Sequence, residues 1–233
     1  MLDLALALVF AVGFPLITWP QYARRRPALK AGDWEVKRRE YAETIAWLTA
    51  MGLAPVFLWL ATGRDLDRLG LGVDVSWQGG VALLLAAGLG ALLALQVRAV
   101  RRDPATREAV RTALTPVAEY LPHSLGEARW FRGVSVAAGV GEEIFYRGFL
   151  IGYLASWMPL VWAVVASSVL FGLAHGMHGL QATARATLMS GVFAALLLFS
   201  GSLWACMLLH TLIDLSSGET GLAVFGKGRA RAT

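Results

Sequence analysis

The apolar segments of this chain are too long and too numerous for a soluble protein. A helix needs roughly 20 mainly apolar residues to cross a bilayer. Segments that reach or approach this length lie at about residues 2–20, 43–62, 79–97, 133–154, 159–176, 185–200 and 202–217. The composition agrees, since 57% of the residues are hydrophobic and only 16% are charged. The sequence therefore predicts an all-α, polytopic transmembrane helix bundle of about seven spans, with six to eight compatible with the segment lengths.

The first apolar segment is expected to be a retained membrane anchor. No basic residue precedes it, no A-x-A cleavage site ends it, and its basic cluster follows the apolar run, which is the reverse of a secretory signal peptide. The chain has one cysteine, Cys206, which excludes a disulfide-stapled secreted scaffold.

The distribution of positive charge predicts the orientation of the bundle. With seven alternating spans, 18 of the 21 lysines and arginines fall on one side, Arg64 and Arg68 fall on the other, and Arg147 lies inside a span. The larger group consists of Arg24, Arg25, Arg26, Lys30, Lys37, Arg38, Arg39, Arg98, Arg101, Arg102, Arg107, Arg111, Arg129, Arg132, Arg185, Lys227, Arg229 and Arg231. Cytoplasmic loops carry the excess of Lys and Arg, so we expect the N-terminus outside and the C-terminus in the cytoplasm. The net charge of +5 therefore reflects membrane topology, and no nucleic-acid partner is expected.

One segment of the basic loop at 98–132 is predicted to form a short interfacial helix. Asp103-Pro104 resembles a helix N-cap followed by proline at the first helical position. Apolar residues then recur at helical spacing, at Val110, Leu114, Val117 and Leu121. This pattern suits a helix that lies on anionic lipid headgroups, and a solvated linker helix is the alternative.

Ionisable residues inside the spans are concentrated in the second half of the chain. The six are Glu142, Glu143, Arg147, His175, His210 and Asp214. Because such groups cost several kcal/mol in a bilayer, they usually mark function. We therefore divide a single domain into scaffold helices and loops at 1–130, catalytic helices at 131–217 and a basic cytoplasmic tail at 218–233.

The spacing of these residues indicates their chemistry. Glu143 and Arg147 are four residues apart and can form an ion pair on one helix, whereas Glu142 is rotated by about 100° and faces elsewhere. A carboxylate in a low-dielectric site next to another can serve as a general base. A purely structural ion pair that locks helices together is the alternative.

The histidines complete a set of groups suited to hydrolysis. His210 and Asp214 share one helical face, and with His175 they lie at a similar depth in the cytoplasmic half of the membrane. We expect a common cavity with Glu142, open to the cytoplasm. A general base, two imidazoles and a water suit hydrolysis of a membrane-embedded or membrane-proximal peptide. His178 is expected to be a loop histidine without a catalytic role.

Three motifs follow one another on successive spans. They are E-E-x-x-x-R at Glu142, Glu143 and Arg147, F-x-x-x-H at Phe171 and His175, and H-x-x-x-[N/D] at His210 and Asp214. In this order they resemble the CAAX-protease and bacteriocin-processing (CPBP, Abi) family of intramembrane proteases, which includes the type II CAAX prenyl endopeptidases. The resemblance covers about residues 130–217.

The resemblance implies an intramembrane endopeptidase of the glutamate type. It implies that Glu142 activates water with the help of His175, and that His210 and Asp214 stabilise the oxyanion. The implied supporting residues are Glu143, Arg147 and Phe171.

Asp214 departs from the family pattern, because many members have Asn at this position. An ionised Asp cannot donate a hydrogen bond to an oxyanion. We expect Asp214 to orient His210 so that the imidazole donates, and a protonated Asp214 is the alternative.

Three alternative functions remain at this point. Glu142, His175, His210 and Asp214 could form a zinc site with N and O ligands, which would make the protein a zinc metalloprotease, although we favour a reaction without a cofactor. Cys206 lies four residues before His210 and could form a thiol–imidazole pair. A non-catalytic membrane scaffold or immunity protein is the third alternative.

The expected surroundings are a lipid bilayer and a bacterial cytoplasmic membrane, since the excess of Arg over Lys is typical of GC-rich bacterial genomes. Sorting signals and peptide leaders are then expected substrates ahead of prenylated peptides.

Overall fold

The structure, a computed structural model, describes residues 1–72 and 76–226, and the secondary structure of these residues is helical without strands. The helices are α1 (Leu2–Lys30), α2 (Trp34–Ala61), α3 (Trp77–Arg102), α4 (Pro104–Leu114), α5 (Leu125–Glu142, continued by the π-helical Glu143–Leu150 and by Ile151–Ala155), α6 (Leu160–Ala174), α7 (Leu180–Ser200) and α8 (Trp204–Phe225). Short 3₁₀ turns cover Leu66–Leu69, Thr115–Val117 and Gly176–His178.

Each of the seven predicted spans overlaps one helix, and the predicted all-helical membrane bundle is confirmed. Among the described residues, α1, α2, α3 and α7 are long and apolar enough to cross a membrane by length and composition. The apolar helix α6 is shorter, with 15 residues. The other two, α5 and α8, carry five of the six ionisable residues that the motifs contain, and the sixth, His175, follows α6.

The helices extend beyond their apolar cores, and this changes the predicted loops. Residues 21–42 lie between the first two predicted spans and were expected to form a basic loop, but most of them are helical. Helix α1 runs to Lys30 and α2 begins at Trp34, with Asp33 accepting a hydrogen bond from the Val36 N–H at 3.1 Å. At the other end of the chain, α8 continues past residue 217 to Phe225. Hydropathy locates the apolar part of a helix, whereas caps and turns decide where the helix ends. The tail cations Lys227, Arg229 and Arg231 lie outside the described residues.

The predicted helix after Asp103 is present as α4. The Asp103 carboxylate caps it by accepting hydrogen bonds from the backbone N–H groups of Ala105 and Thr106. Arg107 donates to the carbonyls at the end of α3, and Arg111 donates to the Val224 carbonyl near the end of α8. These contacts attach α4 to the ends of two spanning helices.

Helix α5 lies between α2 and α8, and glycines allow it to approach both closely. A Cβ atom at Gly52 of α2 would lie 2.7 Å from the Cα atom of Gly141 on α5. On the opposite side, a Cβ atom at Gly139 would overlap Thr211 of α8. Close packing of small residues is a common way for helices to associate in membranes. It brings the residues that follow Gly141 to the centre of the bundle.

The linker between α4 and α5 is held against α1 and α2 by polar contacts. Glu119 accepts hydrogen bonds from Arg26 (2.8 Å) and Tyr22 (3.1 Å), and Lys37 donates to the Leu121 carbonyl oxygen (2.6 Å). Burial raises the pKa of Glu119, but these hydrogen bonds outweigh it and leave the pKa below its ordinary value. The linker residue Tyr120 packs against the ring of Tyr22, and its carbonyl oxygen accepts a hydrogen bond from the Tyr41 hydroxyl.

Candidate active site

The two adjacent glutamates lie where α5 changes from an α-helix to a π-helix. Glu142 ends the α-helical part, and Glu143 begins an eight-residue π-helical part that is buried throughout. π-Helical turns are rare and are frequent at functional sites. Glu143 Oε1 lies 3.1 Å from Arg147 Nη1, so the ion pair that the spacing predicts is present, with side chains 0% and 1% exposed.

Aromatic rings surround the guanidinium of Arg147. Its Cζ atom lies 4.4 Å from the ring centroid of Phe171 and 5.3 Å from that of Phe193. In the described part of the chain, none of its nitrogens is aligned for a hydrogen bond. The contact with Glu143 is therefore an ion pair by distance, and cation–π contacts supply the rest of the compensation for the buried charge.

His210 lies among three carboxylates. Its Nδ1 is 2.7 Å from Glu143 Oε1, and because a carboxylate only accepts hydrogen bonds, this nitrogen carries a proton. Its Nε2 is 3.6 Å from Glu142 Oε2 and 3.8 Å from Asp214 Oδ2. Both distances exceed that of a hydrogen bond, so Nε2 remains free to bind a reacting group.

The expectation that Asp214 orients His210 is wrong. The orienting carboxylate is Glu143, which reaches Nδ1 from α5, whereas Asp214 approaches only the opposite nitrogen. Arg147 forms an ion pair with Glu143, and the Asp214 carboxylate, at 3.8 Å from Nε2, is beyond hydrogen-bond distance. The Asp214 side chain is 32% exposed.

His175 immediately follows α6, and its ring orientation is fixed by a local hydrogen bond. Its Nδ1 lies 2.9 Å from the Phe171 carbonyl oxygen. A carbonyl can only accept, so Nδ1 carries the proton and the neutral ring presents Nε2 as an acceptor. The ring centroids of His175 and Phe171 are 4.7 Å apart. The F-x-x-x-H spacing thus places one aromatic ring against both His175 and Arg147.

A single cavity of about 190 Å³ joins the predicted catalytic residues. Glu142, His175, His210 and Asp214 all line it. The supporting residues Glu143, Arg147 and Phe171 are buried behind this wall. The cavity extends along α2 to Glu40 and Glu43, at the end of the bundle that carries the arginine-rich segments.

The first half of the chain forms much of the cavity wall, and the sequence patterns did not reveal this. The lining residues from α1 and α2 are Phe14, Thr18, Gln21, Glu40, Glu43, Thr44, Trp47 and Leu48. The only sequence signal for them is a group of polar residues at the ends of two apolar runs. Such residues are equally typical of helix ends in contact with water.

His178 also lines the cavity, together with Tyr120 of the linker. The two rings meet edge to face with centroids 4.8 Å apart. Burial, followed by the effect of the nearby His175, lowers the pKa of His178 to about 4. His178 is therefore neutral at pH 7 and contributes an aromatic wall.

The thiol–imidazole alternative is wrong. Cys206 is fully buried, and its Sγ contacts the Phe193 carbonyl oxygen at 3.4 Å and does not line the cavity. For the zinc alternative, no group of three or more His, Cys, Asp and Glu side chains within residues 1–72 and 76–226 is arranged to hold a metal ion.

Comparison with known proteins bears on this site. Residues 125–216 match a family model. The model is described as type II CAAX prenyl endopeptidase Rce1-like, which confirms the resemblance inferred from the motifs. The match begins at the first residue of α5 and includes all three motifs, so this part of the chain is similar to CAAX-type endopeptidases. Comparisons with curated proteins and with solved structures give no significant match.

The buried ion pair leads to a stability prediction. We expect Arg147→Met to destabilise the protein by about 3–5 kcal/mol, because it leaves Glu143 as an uncompensated buried charge. The double variant Glu143→Gln/Arg147→Met should recover much of this loss, since no unpaired charge remains. Unfolding in detergent, followed by circular dichroism or a thermal shift, measures both effects.

The control for this experiment is Arg38→Met. Arg38 forms an exposed ion pair with Glu35, and such pairs contribute about 0–1 kcal/mol. An Arg147→Met variant as stable as Arg38→Met would contradict the role assigned to the buried pair.

Proposed function

We propose that this protein is a glutamate-type intramembrane endopeptidase, with Glu142, His175, His210 and Asp214 as the catalytic residues. The observation that carries the proposal is the convergence of these four side chains on one cavity inside a helical membrane bundle. The family match over 125–216 supports the same reaction class.

In the proposed reaction, Glu142 accepts a proton from a water molecule, and His175 Nε2 holds that water by accepting its second hydrogen. The water oxygen attacks the carbonyl carbon of the scissile peptide bond, and the carbonyl electron pair moves to its oxygen. When the C–N bond breaks, the nitrogen keeps the bonding pair and takes the proton that Glu142 collected. One water is consumed, and an acid and an amine are released.

The oxyanion is stabilised by His210. Nδ1–H donates to Glu143, so an imidazolium at this position also donates from Nε2 into the cavity. Asp214 and Glu142 lie beside that nitrogen and favour its positive charge electrostatically. A preorganised donor of this kind typically lowers a barrier by about 3–4 kcal/mol.

The proposed substrate is a membrane-embedded or membrane-proximal peptide segment, because the cavity lies within the bundle and extends to one of its ends. We assign the N-terminus to the outside and the C-terminus to the cytoplasm of a bacterial inner membrane, on the basis of the arginine-rich segments at that end. A reporter fused after Thr233 should therefore report a cytoplasmic location. A periplasmic signal would contradict this orientation.

The catalytic assignment predicts the effect of two substitutions. In proteoliposomes, the protein should cleave at least one of two quenched fluorescent probes: a farnesylated peptide ending in a CAAX sequence, or an unprenylated apolar peptide of about 20 residues. Glu142→Gln should lower the rate by about 10²–10⁴, because it removes the general base. His175→Ala should also lower the cleavage rate.

Glu108→Gln is the matched control, since Glu108 is exposed on α4 and does not line the cavity. It should cleave at the wild-type rate. Unchanged cleavage by Glu142→Gln would contradict the assignment of Glu142 as the general base. If the wild type cleaves neither probe and a Glu142→Gln strain has a wild-type phenotype, the scaffold alternative is favoured.

The reaction is proposed to proceed without a metal cofactor. We therefore expect activity to survive incubation with a strong zinc chelator, and elemental analysis of the active protein to find less than one zinc per chain. Loss of activity on chelation, restored by added zinc, would support the zinc metalloprotease alternative.

A further inference from the structure

The end of helix α6 leaves a backbone carbonyl that its own helix does not satisfy. The last four carbonyls of an α-helix lack intrahelical partners. Here the N–H groups that follow the helix donate to the carbonyls of Gly172, Leu173 and His175. They leave the Ala174 carbonyl without a backbone donor. The Ala174 carbonyl belongs to the peptide unit that joins Ala174 to His175. A contact that holds this carbonyl therefore also holds the backbone from which the His175 side chain extends.

Trp19 of α1 supplies the missing donor. Its Nε1–H donates to the Ala174 carbonyl oxygen at 3.3 Å, across 155 positions in the chain. The same indole ring packs on Gly176, the residue that follows His175. A Cβ atom at Gly176 would lie 2.5 Å from both Cζ2 and Cη2 of Trp19. One side chain thus holds both neighbours of His175.

We propose that Trp19 is a positioning residue for His175. The inference rests on the catalytic role proposed above for His175. Trp19 does not line the cavity and touches no reacting group. It fixes the backbone on both sides of His175, while the bond from Nδ1 to the Phe171 carbonyl fixes the ring. Together these contacts direct Nε2, and a misplacement of about 1 Å in such a group can cost about 10²-fold in rate.

The position of Trp19 gives the inference a wider consequence. The family match begins at residue 125, so the residue that holds His175 lies on a helix outside the matched segment. Helix α1 therefore does more than anchor the chain, and residues 125–216 do not contain all the contacts that define the geometry of the site.

The test compares two tryptophan variants of the full-length protein in nanodiscs. Trp19→Phe keeps an aromatic ring but lacks the N–H group. Trp162→Phe is the matched control, because Trp162 is on α6 itself and is 61% exposed. We expect Trp19→Phe to lower kcat about tenfold, in line with the loss of one positioning hydrogen bond, with KM within about twofold. Trp162→Phe should change neither constant.

A second readout needs no substrate and separates failure of this inference from failure of the proposed function. With ¹⁵N-labelled imidazoles, Trp19→Phe should shift or broaden the His175 resonances, assigned by their loss in His175→Gln. The resonances of His123 and His210 should stay in place. If the wild type cleaves neither probe, the proposed function fails, and the spectra still decide whether Trp19 positions His175.

Gly176→Ala provides an independent variant, because its methyl group must displace the indole or the turn. It should perturb the His175 resonances in the same direction as Trp19→Phe. Unchanged His175 resonances in Trp19→Phe would overturn the proposal whatever the kinetics. Displacement of all four histidines together with a large fall in melting temperature would overturn it too, since Trp19 would then be a general packing residue.

Discussion

The buried charge of Arg147 is the constraint on which the second half of the bundle depends. A guanidinium that is almost fully removed from water must be compensated nearby. Glu143 supplies the opposite charge from the same helix, Phe171 supplies a ring from α6, and Phe193 supplies a ring from α7. The compensation of one residue therefore brings three helices together. Glu143 then binds His210 of α8, which adds the fourth.

This dependence links folding to chemistry. The carboxylate that neutralises Arg147 is also the one that fixes the tautomer of His210, so the ion pair and the candidate oxyanion donor share the atom Glu143 Oε1. Glu142, one residue earlier, is rotated by about 100° around the helix and lines the cavity. Neighbouring carboxylates acquire different roles from their surroundings, as in other acid–base sites.

The sequence was sufficient for features that depend on one helix at a time. Bilayer thickness and hydropathy located seven helices of the bundle, and the four-residue spacing located the Glu143–Arg147 pair. Contacts between helices could not be predicted from the sequence. Nothing in the spacing of His210 and Asp214 shows that a glutamate from another helix reaches His210 first. In the same way, Thr18, Gln21 and Trp19 have no local pattern that marks them as neighbours of residues some 120 to 190 positions away in the chain.

The shortness of helix α6 has a consequence for where water must go. Its 15 residues span only about 22 Å, whereas the hydrocarbon layer of a bilayer is about 30 Å thick. A helix of that length does not reach from one surface to the other, so either the bilayer thins around it or one of its ends lies below the surface. His175, at the end of this helix, and Glu142 line the cavity that extends to the arginine-rich end of the bundle, and solvent that enters there can reach both side chains.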